Sequence, residues 1–227
     1  KSLEFGISYF NEKKIPIICL AHGNELLFEN NKKLLRITNI LNNVSTVVSN
    51  SNFTSNLVEK IVKKKISKVV IYPGAQDLRN IEAKEIENID GDPFLLTLAR
   101  LEKRKGHKYI INAINELKTQ FPDLIYLIAG KGPYQKNIQD YVKKLNLHNQ
   151  IHFLGWITEP EKSLILKNSD IFAMTPITSG ESVEGFGMAF IDAAFHGVAS
   201  IGSDSGGIND AIIDGKTGII CESSNQS

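Results

Sequence analysis

From Phe94 onward, short apolar runs alternate strictly with amphipathic stretches, and this alternation narrows the possible folds more than any other feature. Residues 94–99, 124–129, 151–154, 171–174 and 198–202 read as strands. Helices are expected near 108–119, 134–145, 160–167 and 188–196, with another at about 208–213. Pro133 and Pro160 stand where a first helical turn accepts proline, because that N–H has no intrahelical partner. Repeated βα units joined by short loops require parallel pairing and right-handed crossovers, hence a doubly wound α/β sheet.

The first third follows the same logic less regularly. Residues 15–21 read as a strand that ends in the loop His22-Gly23-Asn24-Glu25. A helix is expected over about 29–41, with Leu34, Leu35, Ile37, Thr38 and Leu41 on one face. Residues 46–49 form a short strand, and 53–64 a helix behind Ser51 and Thr54, residue types that cap helix N-termini. Residues 68–72 form a further strand, stopped by Pro73-Gly74. Between 77 and 93 the chain turns rich in Glu, Asn and Asp and loses periodicity, as an interdomain connection does. The expected division is therefore 1–76 for one domain, 77–93 for the connection and 94–227 for a second, nearly continuous domain.

With 26 Lys and Arg against 25 Asp and Glu, a net charge of +1 gives no reason to expect a nucleic-acid partner. Cys19 and Cys221 lie in apolar, strand-like runs outside any metal-binding spacing, and read as reduced, buried thiols. No apolar run is long enough to span a bilayer.

In a doubly wound sheet, ligands bind at the loops beyond the carboxyl ends of the strands. The first such loop is Arg100-Leu101-Glu102-Lys103-Arg104-Lys105-Gly106. A guanidinium fork at Arg100 with an ammonium at Lys105 suits a diphosphate, whose charge they neutralise; a solvated basic loop is the bland alternative. Gly130-Lys131-Gly132 follows the next strand and either lets a ligand approach the backbone or is a tight turn. The longest loop, 175–187, carries Glu184 and leads into the helix that carries Asp192. The amides of Phe186, Gly187 and Met188 stand at the positive end of that helix, where phosphate is favoured. Ser205-Gly206-Gly207 is either a turn or a place where backbone packs against the ligand loop.

The stretches LARLEKRKGH, IAGKGPY, IHFLGW, DIFAM, ESVEGFGMAFIDAA and SDSGGINDAIIDGKTG, in this order, resemble the family-4 retaining glycosyltransferases. The similarity is greatest to the bacterial subgroup of phosphatidylinositol mannosyltransferases. This resemblance implies the GT-B fold, two Rossmann-like domains, of which the first would be incomplete and the second would lack its last helices. It implies that Arg100 and Lys105 bind the donor diphosphate, Glu184 contacts the transferred sugar and Asp192 the nucleotide ribose. Gly130, Gly132, Gly155 and Trp156 would lie by the nucleoside, Gly185, Phe186, Gly187 and Met188 by the phosphates, and His22 near sugar and acceptor.

The implied activity moves a hexose, such as mannose, from a nucleoside-diphosphate sugar to a saccharide or lipid-linked hydroxyl, with retention and without a metal or other cofactor. The implied setting is the cytoplasm, at the inner membrane face where the acceptor is a lipid. A sugar-nucleotide epimerase and a non-catalytic nucleotide-sugar-binding fragment are the alternatives. One departure stands out: the family motif has glutamate at both ends of E-x7-E, whereas position 192 is aspartate. A first domain without its initial strand would also expose apolar sheet surface.

Overall fold

The computed structural model describes residues 2–28, 30–79, 81 and 91–223. Most of the expected connection, 82–90, and Glu29 at the expected helix start lie outside the described residues. The chain divides into two compact units. One comprises Lys1–Pro73 with Thr178–Gly187 and Ser205–Asp210; the other comprises Gly74–Ile177, Met188–Asp204 and Ala211–Ser227.

The first unit is built on a parallel sheet of β1 (Ile18–Ala21), β2 (Thr46–Ser49) and β3 (Ser67–Val70), in that order. Three helices accompany it: α1 (Ser2–Glu12), α2 (Asn31–Leu41) and α3 (Asn52–Ile61). α1 has no counterpart among the elements expected from the sequence. The Asn30 side chain accepts from the Lys32 N–H to start α2, and the Ser51 hydroxyl accepts from the Thr54 N–H to start α3. Ala21, Val47, Leu41 and Val58 form the centre of the core. The expected face of α2 is corrected here. Ile40 and Leu41 are buried and Ile37 packs partly against this core, whereas Leu34 and Leu35 stand exposed, because only the C-terminal half of α2 reaches it. On the sheet itself, Ile18, Leu20 and Val69 share an exposed face.

The second unit runs β4 (Phe94–Leu98), α4 (His107–Leu117), β5 (Ile125–Ala129), α5 (Gln135–Lys144), β6 (Ile151–Gly155), α6 (Glu159–Lys167), β7 (Ile171–Ala173), α7 (Met188–Phe195), β8 (Ala199–Ser203), α8 (Ile208–Ala211) and β9 (Gly218–Cys221). α8 begins within the segment that belongs to the first unit. All pairings in the six-stranded sheet are parallel, in the order β6-β5-β4-β7-β8-β9. β9 is an addition to the strands read from the sequence. Pro133 lies ahead of α5, outside its first turn, while Pro160 falls within the first turn of α6. There Thr158 and Glu161 form a reciprocal capping box.

Ile110, Ile111 and Ile114 of α4 pack with Tyr126 and Ile128 of β5 and with Ile138 and Val142 of α5. Right-handed crossovers place α4 and α5 on one face of the sheet and α7 on the other. Beside α4, next to β7, β8 and β9, a cavity of about 560 Å³ is lined by Ile110, Ile114, Ile171, Ala173, Ile201 and Cys221. Cys221 is exposed and Cys19 half-buried, which corrects the expectation of two buried thiols; both are free. Among the described residues, no helix is long and apolar enough to cross a membrane.

Candidate functional site

The strand order of the second sheet reverses between β4 and β7: the chain runs outward through β5 and β6, returns, and runs the other way through β8 and β9. Such a switch point opens a crevice at the carboxyl ends of the two strands. The loops that leave β4 and β7 therefore belong together, and they interlock. The Ile177 N–H donates to the Arg104 carbonyl at 2.8 Å, and the Thr175 hydroxyl donates to the Gly106 carbonyl at 3.3 Å. A Cβ on Gly106 would stand 1.9 Å from the Thr175 carbonyl oxygen, so no side chain fits.

The loop after β5 closes on the same place. Cβ atoms on Gly130 and Gly132 would stand 2.0 and 2.3 Å from the carbonyl oxygens of Ala99 and Leu101. The Leu101 N–H donates to the Lys131 carbonyl, and the Gly130 N–H to that of Gly155. The missing Cβ atoms make room for the neighbouring loop backbone. Their effect is to fix the course of the loop that carries Arg100 and Lys105.

Within that loop, Arg100 Nη1 lies 2.9 Å from Glu102 Oε1, and Arg104 Nε lies 3.0 Å from Glu102 Oε2. The Arg100 side chain is 73% exposed, so its guanidinium can turn toward an anionic ligand at little cost. Arg104, only 17% exposed, is held in the loop. Lys105 is half-buried on the short turn that precedes α4. Immediately beneath it, His107 is buried, with Nδ1 3.5 Å from the Tyr126 hydroxyl, which in turn pairs with Thr97 at 2.8 Å. Burial, reinforced by the Lys105 charge, brings the His107 imidazole down to about 4, so it is neutral near pH 7. Trp156, just past Gly155 at the end of β6, is 71% exposed.

Asp192 projects from α7 and meets Lys162 of α6, Nζ to Oδ2 3.3 Å. Met188, the first residue of α7, is exposed. Among the described residues, no group of three or more His, Cys, Asp or Glu side chains is placed to hold a metal ion.

The other singled-out residues fall in the first unit. The backbone around Glu184 is held at successive points. The Asn24 side chain accepts from the Val183 N–H at 2.8 Å, and the Gly207 N–H donates to the Glu184 carbonyl at 2.8 Å. A Cβ on Gly185 would stand 1.9 Å from the His22 carbonyl oxygen, and one on Gly207 would stand 2.1 Å from that of Gly185. Thus Ser205-Gly206-Gly207 does pack its backbone against the loop that carries Glu184. The Glu184 side chain is half-buried and that of His22 exposed; the His22 N–H donates to the Glu25 carboxylate. Phe186 is buried, stacked on Tyr72 with centroids 5.5 Å apart. Gly187 is buried beside it.

Sequence reasoning singled out Arg100 and Glu184 but missed the residues that hold their surroundings: Glu102, Lys162, Asn24, Tyr72 and Asp210. Glu102 had a local signal, an acid between Arg100 and Arg104 in one loop. The others have none, since their partners lie far away in sequence.

Parallel sheets with a ligand loop set at the switch point are the architecture of the GT-B glycosyltransferases. HepE of Anabaena, solved with UDP and glucose, superposes with a TM-score of 0.78 at 20% identity, over 97% of this chain and 61% of its own. Sucrose-phosphate synthase from Thermosynechococcus elongatus superposes with a TM-score of 0.76 at 18% identity, over 96% and 58%. Residues 79–227 match the family model described as glycosyl transferases group 1, and the chain belongs to that family. It is 33% identical over 132 residues to a GDP-mannose-dependent alpha-(1-6)-phosphatidylinositol monomannoside mannosyltransferase of Mycolicibacterium smegmatis, spanning 57% of this chain and 35% of that protein. Over 180 residues it is 30% identical to an N-acetylgalactosaminyltransferase of Campylobacter jejuni whose acceptor is a diphospho-undecaprenol saccharide, spanning 78% and 47%. The chain thus spans between about a third and half the length of these relatives.

Proposed function

We propose that this chain carries the donor-binding part of a retaining hexosyltransferase that moves a sugar, with mannose the favoured hexose, from a nucleoside-diphosphate sugar to a hydroxyl acceptor. The observation that carries the reading is the interlock of the loops after β4, β5 and β7, which fixes the Arg100–Lys105 loop at the switch point. A pair of cations carried on that fixed loop suits a departing diphosphate, whose charge they stabilise as it develops. Arg100 and Lys105 take that role, Asp192 takes the ribose, Glu184 hydrogen-bonds the hydroxyls of the transferred sugar, and His22 lies near sugar and acceptor.

In the reaction, the bond between the anomeric carbon and the diphosphate oxygen breaks, and a bond to the acceptor oxygen forms on the same face. The acceptor proton passes to the departing phosphate. No metal is required in this scheme, because the two cations and backbone amides supply the charge. The names of the relatives favour a lipid-linked or saccharide acceptor, and with it action at the cytoplasmic membrane face.

Calorimetry with GDP, UDP and ADP and with their sugars, followed by product analysis on the whole protein, tests the reading. One nucleoside diphosphate should bind through Arg100 and Lys105, and its sugar should be transferred with retained configuration. Failure of every nucleotide to bind, or inversion in the product, overturns it.

A further inference from the structure

Asp210 lies three residues beyond Gly207, in the segment that packs against the Glu184 loop, and its carboxylate is fully engaged. Oδ2 accepts from the Asn52 N–H at 2.7 Å. Oδ1 accepts from Asn52 Nδ2 at 2.7 Å and from the Tyr72 hydroxyl at 3.0 Å. Asn52 Nδ2 also donates to the Tyr72 oxygen at 2.7 Å, so the three side chains form a closed ring. Asn52 is the first residue of α3, hence the carboxylate caps the positive end of a helix of the first unit. Tyr72 is about half exposed; slight desolvation of its hydroxyl and the bond to Asp210 raise the phenol above its ordinary value, so it stays a donor.

Tyr72 has a second contact, its ring stacked on Phe186 at an interplanar angle of 21°. Phe186 is two residues from Glu184. The ring of hydrogen bonds is thereby connected to the Glu184 backbone from both sides, through Asp210 to Gly207 and through Tyr72 to Phe186.

We propose that Tyr72, Asn52 and Asp210 form a clamp of positioning residues that fixes the loop 182–187, and so sets where the Glu184 carboxylate stands. The clamp gives the sugar-contacting loop a fixed height relative to the exit of β3 and the start of α3. This assignment rests on the reading of Glu184 as the sugar contact. Its reason is geometric: a carboxylate that must meet particular hydroxyls loses its effect when its loop can shift by a fraction of an ångström.

The test uses Tyr72→Phe, Tyr72→Ala and Asp210→Asn in the whole protein, with two readouts. Amide hydrogen exchange of residues 182–187 is followed against β5 as an internal reference. Turnover is followed as kcat and KM for transfer, beside the affinity for the plain nucleoside diphosphate. The clamp requires exchange in 182–187 to quicken by about tenfold or more in Tyr72→Ala and Asp210→Asn, with β5 unchanged. It also requires kcat to fall by about tenfold or more, with nucleoside diphosphate affinity retained. Tyr72→Phe, which keeps the stack and loses one hydrogen bond, should fall between these and the unaltered protein. Unchanged exchange in 182–187 overturns the clamp, and so does quickened exchange with unchanged kcat. Should the unaltered protein transfer no sugar at all, the proposed function fails, and the exchange readout by itself still decides whether the clamp holds the loop.

Discussion

Lys162 of α6 and Asp192 of α7 form an ion pair, Nζ to Oδ2 3.3 Å, with both side chains less than one-fifth exposed. Lys162 also holds Glu159 at 2.8 Å. The aspartate that departs from the family motif is therefore aimed by a lysine on the neighbouring helix. Asp192→Ala should lower the unfolding free energy by about 1–2 kcal/mol, because the half-buried ammonium keeps only Glu159. It should also weaken nucleotide binding, while Asp192→Glu preserves or tightens it. Lys162→Ala should weaken binding in the same sense, and the double variant should show less than the sum of the two losses. Denaturant unfolding and calorimetry on the unaltered protein and these four variants read all of these, and additive losses would separate Lys162 from the role of Asp192.

Arg100 and Lys105 are expected to hold the donor diphosphate. Arg100→Ala and Lys105→Ala should each weaken nucleoside diphosphate binding by about 1.5–3 kcal/mol, the cost of a lost charged hydrogen bond. Arg100→Lys should recover only part of that, since an ammonium cannot form the two-pronged contact. Titration calorimetry at one fixed salt concentration gives the comparison. Equal affinity in all four proteins would make this a solvated basic loop.

Glu184→Gln should reduce transfer and the preference for sugar nucleotides over plain nucleoside diphosphates, and leave affinity for the latter nearly intact. A carboxylate accepts from sugar hydroxyls at both oxygens, whereas the amide keeps one acceptor. Transfer rates and paired binding titrations check this. Equal loss for both ligands would leave Glu184 with a loop-supporting role alone.

His107 predicts a pH dependence of stability. Its folded value, about 4, lies below its ordinary 6.5. Between these values the unfolded chain binds the proton and the folded protein does not. Stability is thus fully present above about pH 6.5 and is lost as pH falls toward 4, by about 3 kcal/mol in all for a shift of this size. Urea unfolding at about pH 7.5, 6, 5 and 4.5 should show the slope, and His107→Gln should flatten it. An unchanged slope in the variant would assign the effect to other groups.

The βα alternation, the helix starts at Ser51 and Pro160, and the place of Arg100 and Lys105 at a strand tip were legible in the sequence. Each is encoded within a few neighbouring residues, by side-chain period, by a capping oxygen near its amide, or by a loop between two periodic segments. The tertiary structure decided what those local signals do not contain. It buried Ile40 and left Leu34 and Leu35 exposed, exposed Cys221, and filled the space at Gly130 and Gly132 with loop backbone. It also brought Asp210 to Tyr72, 138 residues away, and Lys162 to Asp192. The physical reason is that strand order sets which loops become neighbours. The βα alternation fixes that the strands run parallel, but only the packed sheet, with its order β6-β5-β4-β7-β8-β9, determines which loop backbones meet at its carboxyl edge.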